Sequence, residues 1–216
     1  MRRILCYGDS NTWGYTAGTG VRYPHDVRWT GVMQRELGAE YTVLEEGLNG
    51  RTSVFDNPFS PYRSGVAYLL PCLLTHKPLD VIVVMLGTND LRWTTAFGAS
   101  EGVRRIVKEI RLAAHLEESS SIFADRTRIL VVSPILAHPR MEGPEFNEVH
   151  RLYPARSREF AAHFAKMAAE TGCDFLDAAQ FAEPSEVDGL HMTQESHARL
   201  GKAIADKVRE MLEKER

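Results

Sequence analysis

The sequence lacks the features of disulfide-stabilised and zinc-stabilised proteins. Its 216 residues include three cysteines, Cys6, Cys72 and Cys173, which are widely separated and form no CxxC pair. An odd and sparse set of cysteines is not a disulfide framework, and it gives no support to a structural zinc site. Because Cys6 and Cys173 lie in apolar runs, we expect both to be small core residues.

Long apolar runs and an excess of basic charge are absent as well. No stretch approaches the ~20 apolar residues of a membrane helix. The apolar run near the N-terminus ends at Gly8, which is too early for a signal peptide. We therefore expect a cytoplasmic protein with no membrane partner. Lys and Arg total 26 and Asp and Glu total 29, for a net charge of −3, which argues against nucleic acid as the main partner.

What is present is an ordinary globular composition. Hydrophobic residues make up 44% of the chain and charged residues 25%, as in soluble globular proteins. A chain of this length is expected to form one domain, covering residues 1–216. It can bury roughly 70% of the surface that its unfolded form exposes, so it needs no metal or disulfide to fold.

The apolar pattern alternates between strands and helices. Short apolar runs predict strands at 2–7, 41–45, 79–86, 128–133 and 173–176. Amphipathic spacing predicts helices over 26–37, 66–75, 100–118 and 155–171, with a last helix that begins near an N-cap at Thr193. This alternation is typical of a three-layer α/β/α domain with a parallel, five-stranded sheet.

Four polar clusters either follow predicted strands or precede the last helix. They lie at 8–11, 47–52, 87–90 and 188–191. In open α/β sheets, ligands bind beside the carboxyl ends of the strands. We therefore expect the four clusters to converge on one edge of the sheet.

The side chains in these clusters suit acyl transfer. Ser10 is a weak nucleophile unless a base takes its proton, and His191 has the right ordinary pKa for that base. Asp188 can hold the imidazole in the required tautomer. An oxyanion could be bound by the backbone N–H groups of Ser10 and Gly50 and by the side-chain amide of Asn89. One such donor typically lowers the activation barrier by ~3 kcal/mol.

The four blocks, in this order and with this spacing, resemble the SGNH (GDSL-type) hydrolases. Further matches at 8–14, 28–31, 45–48, 51–52 and 187–191 resemble most closely the bacterial arylesterase/acyltransferase branch. The resemblance implies a flavodoxin-like fold and a serine esterase with Ser10 as nucleophile, His191 as base and Asp188 as its partner. It also implies that Gly50 and Asn89 complete the oxyanion hole.

The same resemblance leaves the substrate open. We expect small, short-acyl esters, and the branch is also associated with acyl transfer to alcohols and with homo-oligomers. A carbohydrate O-acetyl esterase and a thioesterase of the same mechanism remain alternatives. So does a non-catalytic ligand-binding module on a flavodoxin-like fold. The turn at 8–12 has neither GxGxxG nor Gly-Lys-Ser/Thr, so it does not favour a phosphate or flavin site.

Several neighbouring residues receive narrower predictions. Asn11 stands where the family usually has Leu, and we expect it to support the turn. Candidate substrate-pocket residues are Trp13, Trp93 and Leu190. Asp9 and Asp90 are expected to hold loops through backbone hydrogen bonds, and Arg51 to form a salt bridge.

No cofactor or metal site is expected. The remaining histidines show no metal-type spacing with carboxylates or cysteines, and we expect several of them to be solvated. They are His25, His76, His115, His138, His150, His163 and His197.

Overall fold

The computed structural model of the protein describes residues 1–116, 121–126 and 128–213. Within these residues, five parallel strands form one sheet in the order β2-β1-β3-β4-β5. The strands are β1 (Arg2–Gly8), β2 (Tyr41–Gly47), β3 (Val81–Met85), β4 (Ile129–Ser133) and β5 (Asp174–Asp177). All five predicted strands are therefore present, and their order is that of flavodoxin-like folds.

Helices connect the strands and cover both faces of the sheet. They are α1 (Ser10–Trp13), α2 (Trp29–Leu37), α3 (Gly65–His76), α4 (Ala96–Ala113), α5 (Tyr153–Ser157), α6 (Phe160–Thr171) and α7 (Gln194–Glu213). The helix α3 contains Pro71 in its interior. The helix predicted over 155–171 is interrupted between α5 and α6.

The helix predicted over 100–118 begins and ends earlier. The structure starts α4 at Ala96, where Thr95 accepts a hydrogen bond from the N–H of Gly98. Its last residue is Ala113, and 117–118 lie outside the described residues.

Alternate residues of each strand enter two separate apolar cores. Leu5, Tyr7 and Ile82 face the core under α3, α4 and α6. Ile4 and Cys6 face the core under α2 and α7. Both faces of the sheet are thus covered, which explains why the inner strands β3 and β4 are buried and almost entirely apolar. The predicted three-layer α/β/α architecture is confirmed.

The cysteines follow this arrangement only in part. Cys6 and Cys72 are buried, whereas Cys173 is half-buried. Cys173 lies at the edge of the core, where its sulfur meets Thr171 and Arg111, so the prediction of a core position for Cys173 needs correction. No helix in the described ranges is long and apolar enough to span a membrane.

His197 is not one of the solvated histidines. This residue lies in α7 on the side that packs against α2, and it is fully buried. Its Nδ1 accepts a hydrogen bond of 3.2 Å from the N–H of Trp29. Nε2 is buried with no protein partner among the described residues. Burial, followed by the nearby positive charges of Arg28 and His191, lowers the pKa of His197 to about 4.

This low pKa predicts a loss of stability in acid. The unfolded chain protonates His197 near pH ~6.5, whereas the folded protein does so only near 4. The neutral ring therefore supports the fold above about pH 6.5, and this contribution is lost as the pH falls towards 4. In His197→Asn, an amide oxygen can still accept the Trp29 N–H. Between pH 7 and 4.5, the free energy of unfolding should decrease in both proteins. We expect the decrease to be smaller in this variant than in the wild type, by up to about 2.5 kcal/mol.

Urea unfolding at the two pH values measures this difference. His163→Asn, which changes a partly exposed histidine of α6, is the control and should follow the wild type. Equal acid sensitivity in the wild type and His197→Asn would contradict the assignment.

Candidate active site

Ser10 follows the interior strand β1, with one residue, Asp9, between them. Asp9 caps the short helix α1, and its carboxylate accepts the N–H of Asn11 at 2.9 Å. Gly8 must be glycine here, because a Cβ at this position would lie 2.0 Å from Oγ1 of Thr12. The tight turn places Ser10, a residue that is 9% exposed, beside the carboxyl ends of the strands.

The loop before α7 places a histidine and a carboxylate beside this hydroxyl. Nε2 of His191 lies 2.9 Å from Oγ of Ser10, and Nδ1 lies 2.7 Å from Oδ2 of Asp188. The second carboxylate oxygen of Asp188 accepts the backbone N–H groups of Leu190 and His191, each at 3.0 Å. With these partners, Nδ1 carries the hydrogen of the neutral ring and Nε2 is the acceptor for Ser10.

The same hydrogen bonds keep Asp188 ionised. Burial opposes its ionisation, but the bonds from the ring and N–H of His191 and from the N–H of Leu190 outweigh that effect. Together they hold the pKa of Asp188 below its ordinary value. A carboxylate in this position can stabilise an imidazolium on His191.

The predicted oxyanion donors border the same cavity as Ser10 and His191. Ser10, Gly50, Asn89 and His191 line a cavity of about 210 Å³. Gly50 has a φ of 75°, in the left-handed region, within the turn after β2. The amide of Asn89 donates one hydrogen bond of 3.0 Å to the carbonyl of Arg51. That bond fixes the amide and leaves its second hydrogen for another acceptor.

Two buried carboxylates hold these loops. Asp90 accepts hydrogen bonds from both the N–H and the hydroxyl of Ser53, which ties the loop after β3 to the loop after β2. Burial raises the pKa of Asp90 to about 7 and that of Asp9 to about 6, although their hydrogen bonds oppose the shifts. Both residues make the backbone hydrogen bonds expected of them.

The predicted pocket residues are placed differently. Leu190 lines the cavity, whereas Trp13 and Trp93 do not. The ring of Trp13 packs under the guanidinium of Arg22, and Trp93 is 41% exposed. Neither indole therefore forms part of the cavity wall.

Tyr15 lines the cavity and was missed by the sequence analysis. Its ring stacks on that of His191, with a centroid distance of 4.1 Å and an interplanar angle of 29°. Gly14 ends α1 with a φ of 90° and turns the chain back over the site. The only sequence signal was the position of Tyr15 directly after that glycine.

Two further predictions need correction. The guanidinium of Arg51 donates to the carbonyls of Gly8 and Glu46, and among the described residues it does not form the expected salt bridge. These bonds join the ends of β1 and β2. His76 was expected to have no metal-type spacing with carboxylates or cysteines, but it is part-buried beside Glu46 and Cys72.

Asn11 connects the first block to the last. Its amide donates to the carbonyl of Leu190 at 3.2 Å, and its oxygen accepts the N–H of Met192 at 3.0 Å. The two bonds flank His191 on either side in the sequence. Asn11 is thus 4% exposed and anchors the loop that carries the histidine, in addition to its place in the turn.

Comparison with known proteins identifies the family of the chain. Residues 6–199 match the GDSL-like Lipase/Acylhydrolase family. The chain belongs to this family. The native aryl esterase of M. smegmatis is 35% identical, with 97% of this chain and 99% of that chain covered and a TM-score of 0.89. No curated protein sequence matches significantly.

Two other solved acylhydrolase structures are similar over nearly their whole length. Est24, a carbohydrate acetylesterase from Sinorhizobium meliloti, is 33% identical, with 98% and 100% of the two chains covered and a TM-score of 0.89. A putative arylesterase from Agrobacterium tumefaciens is 34% identical, with 97% and 99% covered and a TM-score of 0.86. The predicted SGNH family, fold and ester hydrolase class are confirmed.

The Asn11 bridge predicts a cost in both stability and turnover when it is removed. Asn11→Ala leaves the Leu190 carbonyl and Met192 N–H without their partner, and each buried polar group left unpaired costs about 1–3 kcal/mol. Because the loop that carries His191 then loosens, we expect kcat for an ester to fall on the order of tenfold. Asn11→Leu refills the volume with the family's usual residue but restores neither hydrogen bond.

Urea unfolding and steady-state kinetics measure the two effects. Asn57→Ala is the matched control, because Asn57 also binds a backbone N–H but does so on an exposed loop. If Asn11→Ala equals the wild type in both stability and kcat, the bridge has no role.

Proposed function

We propose that the protein is a serine esterase that hydrolyses small, short-acyl carboxylic esters through an acyl-enzyme. One observation carries the proposal: Ser10, His191 and Asp188 form an unbroken hydrogen-bonded series at the wall of the cavity. This series matches the arrangement of nucleophile, base and orienting acid that activates a serine.

In the first half of the reaction, Oγ of Ser10 attacks the ester carbonyl and Nε2 of His191 takes its proton. The carbonyl oxygen becomes an oxyanion, for which the N–H groups of Ser10 and Gly50 and the amide of Asn89 are the donors. The tetrahedral intermediate then collapses. His191 passes the proton to the leaving alcohol, and the acyl group stays on Ser10.

In the second half, His191 takes a proton from water, which attacks the acyl-enzyme. The intermediate collapses, the acid leaves and the proton returns to Ser10. An alcohol that replaces water in this step yields a new ester, which is the acyl-transfer reaction associated with this branch of the family.

The imidazolium that forms in both halves has two stabilising neighbours. The carboxylate of Asp188 holds Nδ1–H at 2.7 Å. On the face of the ring, Tyr15 stacks at 4.1 Å, where an aromatic ring attracts a cation. Tyr15 also covers the histidine from solvent on that side.

The nucleophile assignment predicts that Ser10→Ala loses nearly all hydrolysis of p-nitrophenyl acetate. Removal of the serine of such a triad costs on the order of 10⁶-fold in kcat. We therefore expect a fall of at least about 10⁴-fold with an unchanged unfolding transition. A fluorophosphonate probe should label the wild type and not Ser10→Ala.

Ser121→Ala is the control and should retain both turnover and labelling, because Ser121 is exposed in the loop before β4, at the opposite ends of the strands from the cavity. Hydrolysis that continues unchanged in Ser10→Ala would overturn the mechanism.

The size of the cavity supports a short acyl chain. About 210 Å³ is below the several hundred Å³ of drug-sized ligand sites, and polar groups occupy much of its wall. The M. smegmatis relative is an aryl esterase and the S. meliloti relative is a carbohydrate acetylesterase. These relatives support a small acyl group on either an aryl or a sugar alcohol. Acetylated sugars and aryl acetates are therefore the two substrate classes that we propose.

A series of p-nitrophenyl esters from acetate to decanoate tests the acyl preference. A buried CH₂ contributes about 0.8 kcal/mol, so a long apolar pocket would raise kcat/KM about fourfold for each added carbon. We expect kcat/KM to peak between acetate and butyrate and to decline beyond. A continued rise to octanoate would contradict the short-acyl assignment while leaving the role of Ser10 intact.

A further inference from the structure

A second group of reactive side chains lies where the edge strand β2 meets α3. Cys72 and His76 are one turn apart in α3, so they share one face of the helix. Glu46 is near the carboxyl end of β2. Its Oε1 lies 2.7 Å from Nε2 of His76, and ligand atoms of all three residues lie within 4.8 Å of one another. None of the three takes part in the proposed esterase reaction.

We propose that Glu46, Cys72 and His76 form a binding site for a divalent transition-metal cation of the zinc type. Thiolate, imidazole and carboxylate are the ligands that zinc takes in proteins, and three of them leave one position for water. A tetrahedral zinc ion holds its ligand atoms roughly 3.5 Å apart. The ligand atoms of the three residues, which all lie within 4.8 Å of one another, are therefore already close to that spacing.

The backbone that carries the ligands is held in place from both sides. Arg51 donates to the carbonyl of Glu46, and Arg3 donates to the carbonyl of His76 at 3.1 Å. Such support favours a site whose ligands need only small movements. The site also has an entrance, because Glu46 lines an open groove of about 450 Å³ together with Tyr62 and Tyr68.

The neighbouring glutamate shows why Glu46 suits a cation. Glu45 points to the other face of β2, where the guanidinium of Arg28 binds both of its carboxylate oxygens at 2.9 and 2.7 Å. Glu46 is 19% exposed, and in the described part of the chain its carboxylate meets no arginine but the imidazole of His76. A bound cation would give Glu46 a positively charged partner, as Arg28 does for Glu45.

Charge also balances when the cation binds. The thiol of Cys72 releases its proton to solvent, the Glu46–His76 hydrogen bond gives way to two metal bonds, and His76 binds as the neutral ring. The two positive charges of the ion then meet one thiolate and one carboxylate. The complex is neutral, so it adds no net charge beside Arg51, whose guanidinium lies over Tyr68 at 5.6 Å.

Cobalt(II), which replaces zinc in such sites, gives a direct test with the full chain. Titration of the reduced wild-type protein with Co²⁺ should produce a near-ultraviolet band from thiolate-to-cobalt charge transfer, and an equimolar amount of Zn²⁺ should remove it. Cys72→Ser should show no such band. His76→Asn should lower the affinity for Co²⁺ at least about 100-fold. Mutation of a residue that only hydrogen-bonds to a metal ligand already lowers metal affinity 10–100-fold.

Controls keep the test specific to these residues. Cys173→Ser and His163→Asn alter a cysteine and a histidine elsewhere and should behave as the wild type. Circular dichroism checks that each variant folds. If Cys72→Ser does not fold, His76→Asn, which changes a side chain 22% exposed at the end of α3, still decides the question.

Absence of the band in the wild type, its persistence in Cys72→Ser, or unchanged affinity in His76→Asn would each overturn the proposal. Hydrolysis of p-nitrophenyl acetate by the same samples reports separately on the esterase, because the two sites share no ligand.

Discussion

The hydrogen bond between Ser10 and His191 joins residues 181 positions apart in the sequence. Several contacts in the surrounding loops hold these two side chains at hydrogen-bonding distance. Ser10 belongs to the turn after the interior strand β1, whereas His191 belongs to a loop before the last helix. Asn11 spans the gap with two hydrogen bonds to that loop. The proposed nucleophile, Ser10, and the residue that anchors the loop of its proposed base, Asn11, are therefore adjacent in the sequence, so a shift of the turn moves both partners together.

The remaining loops are tied to the same turn by buried polar groups. Arg51 joins the ends of β1 and β2, and Asp90 joins the loop after β3 to Ser53. These bonds run between backbone segments that carry Ser10, Gly50 and Asn89. The cost appears in the pKa values of Asp9 and Asp90, which burial raises to about 6 and about 7. Burial of a carboxylate lowers the stability of the fold, and such a loss is common where the geometry of a site has to stay fixed.

Prediction from the sequence succeeded where local pattern and chain order suffice. The five strands, their coverage on both faces and the convergence of four polar blocks all follow from periodicity and from the rule for parallel sheets. It failed where tertiary packing decides. Helical periodicity could not show that His197 faces α2, and nothing local showed that Tyr15 folds back over His191. The family's usual Leu gave no hint that Asn11 would bind two backbone groups.

The two glutamates of β2 show how a strand can support two kinds of chemistry. Because successive side chains point to opposite faces, Glu45 reaches Arg28 and Thr30 under α2, while Glu46 reaches His76 under α3. The first carboxylate is neutralised by a guanidinium and anchors the sheet to its helix. Within the described part of the chain, the second is paired only with the imidazole of His76, which lies one helical turn from the thiol of Cys72. A pair of identical residues in one strand thus differs in charge balance, and this difference makes the face under α3 the place where a cation would be bound.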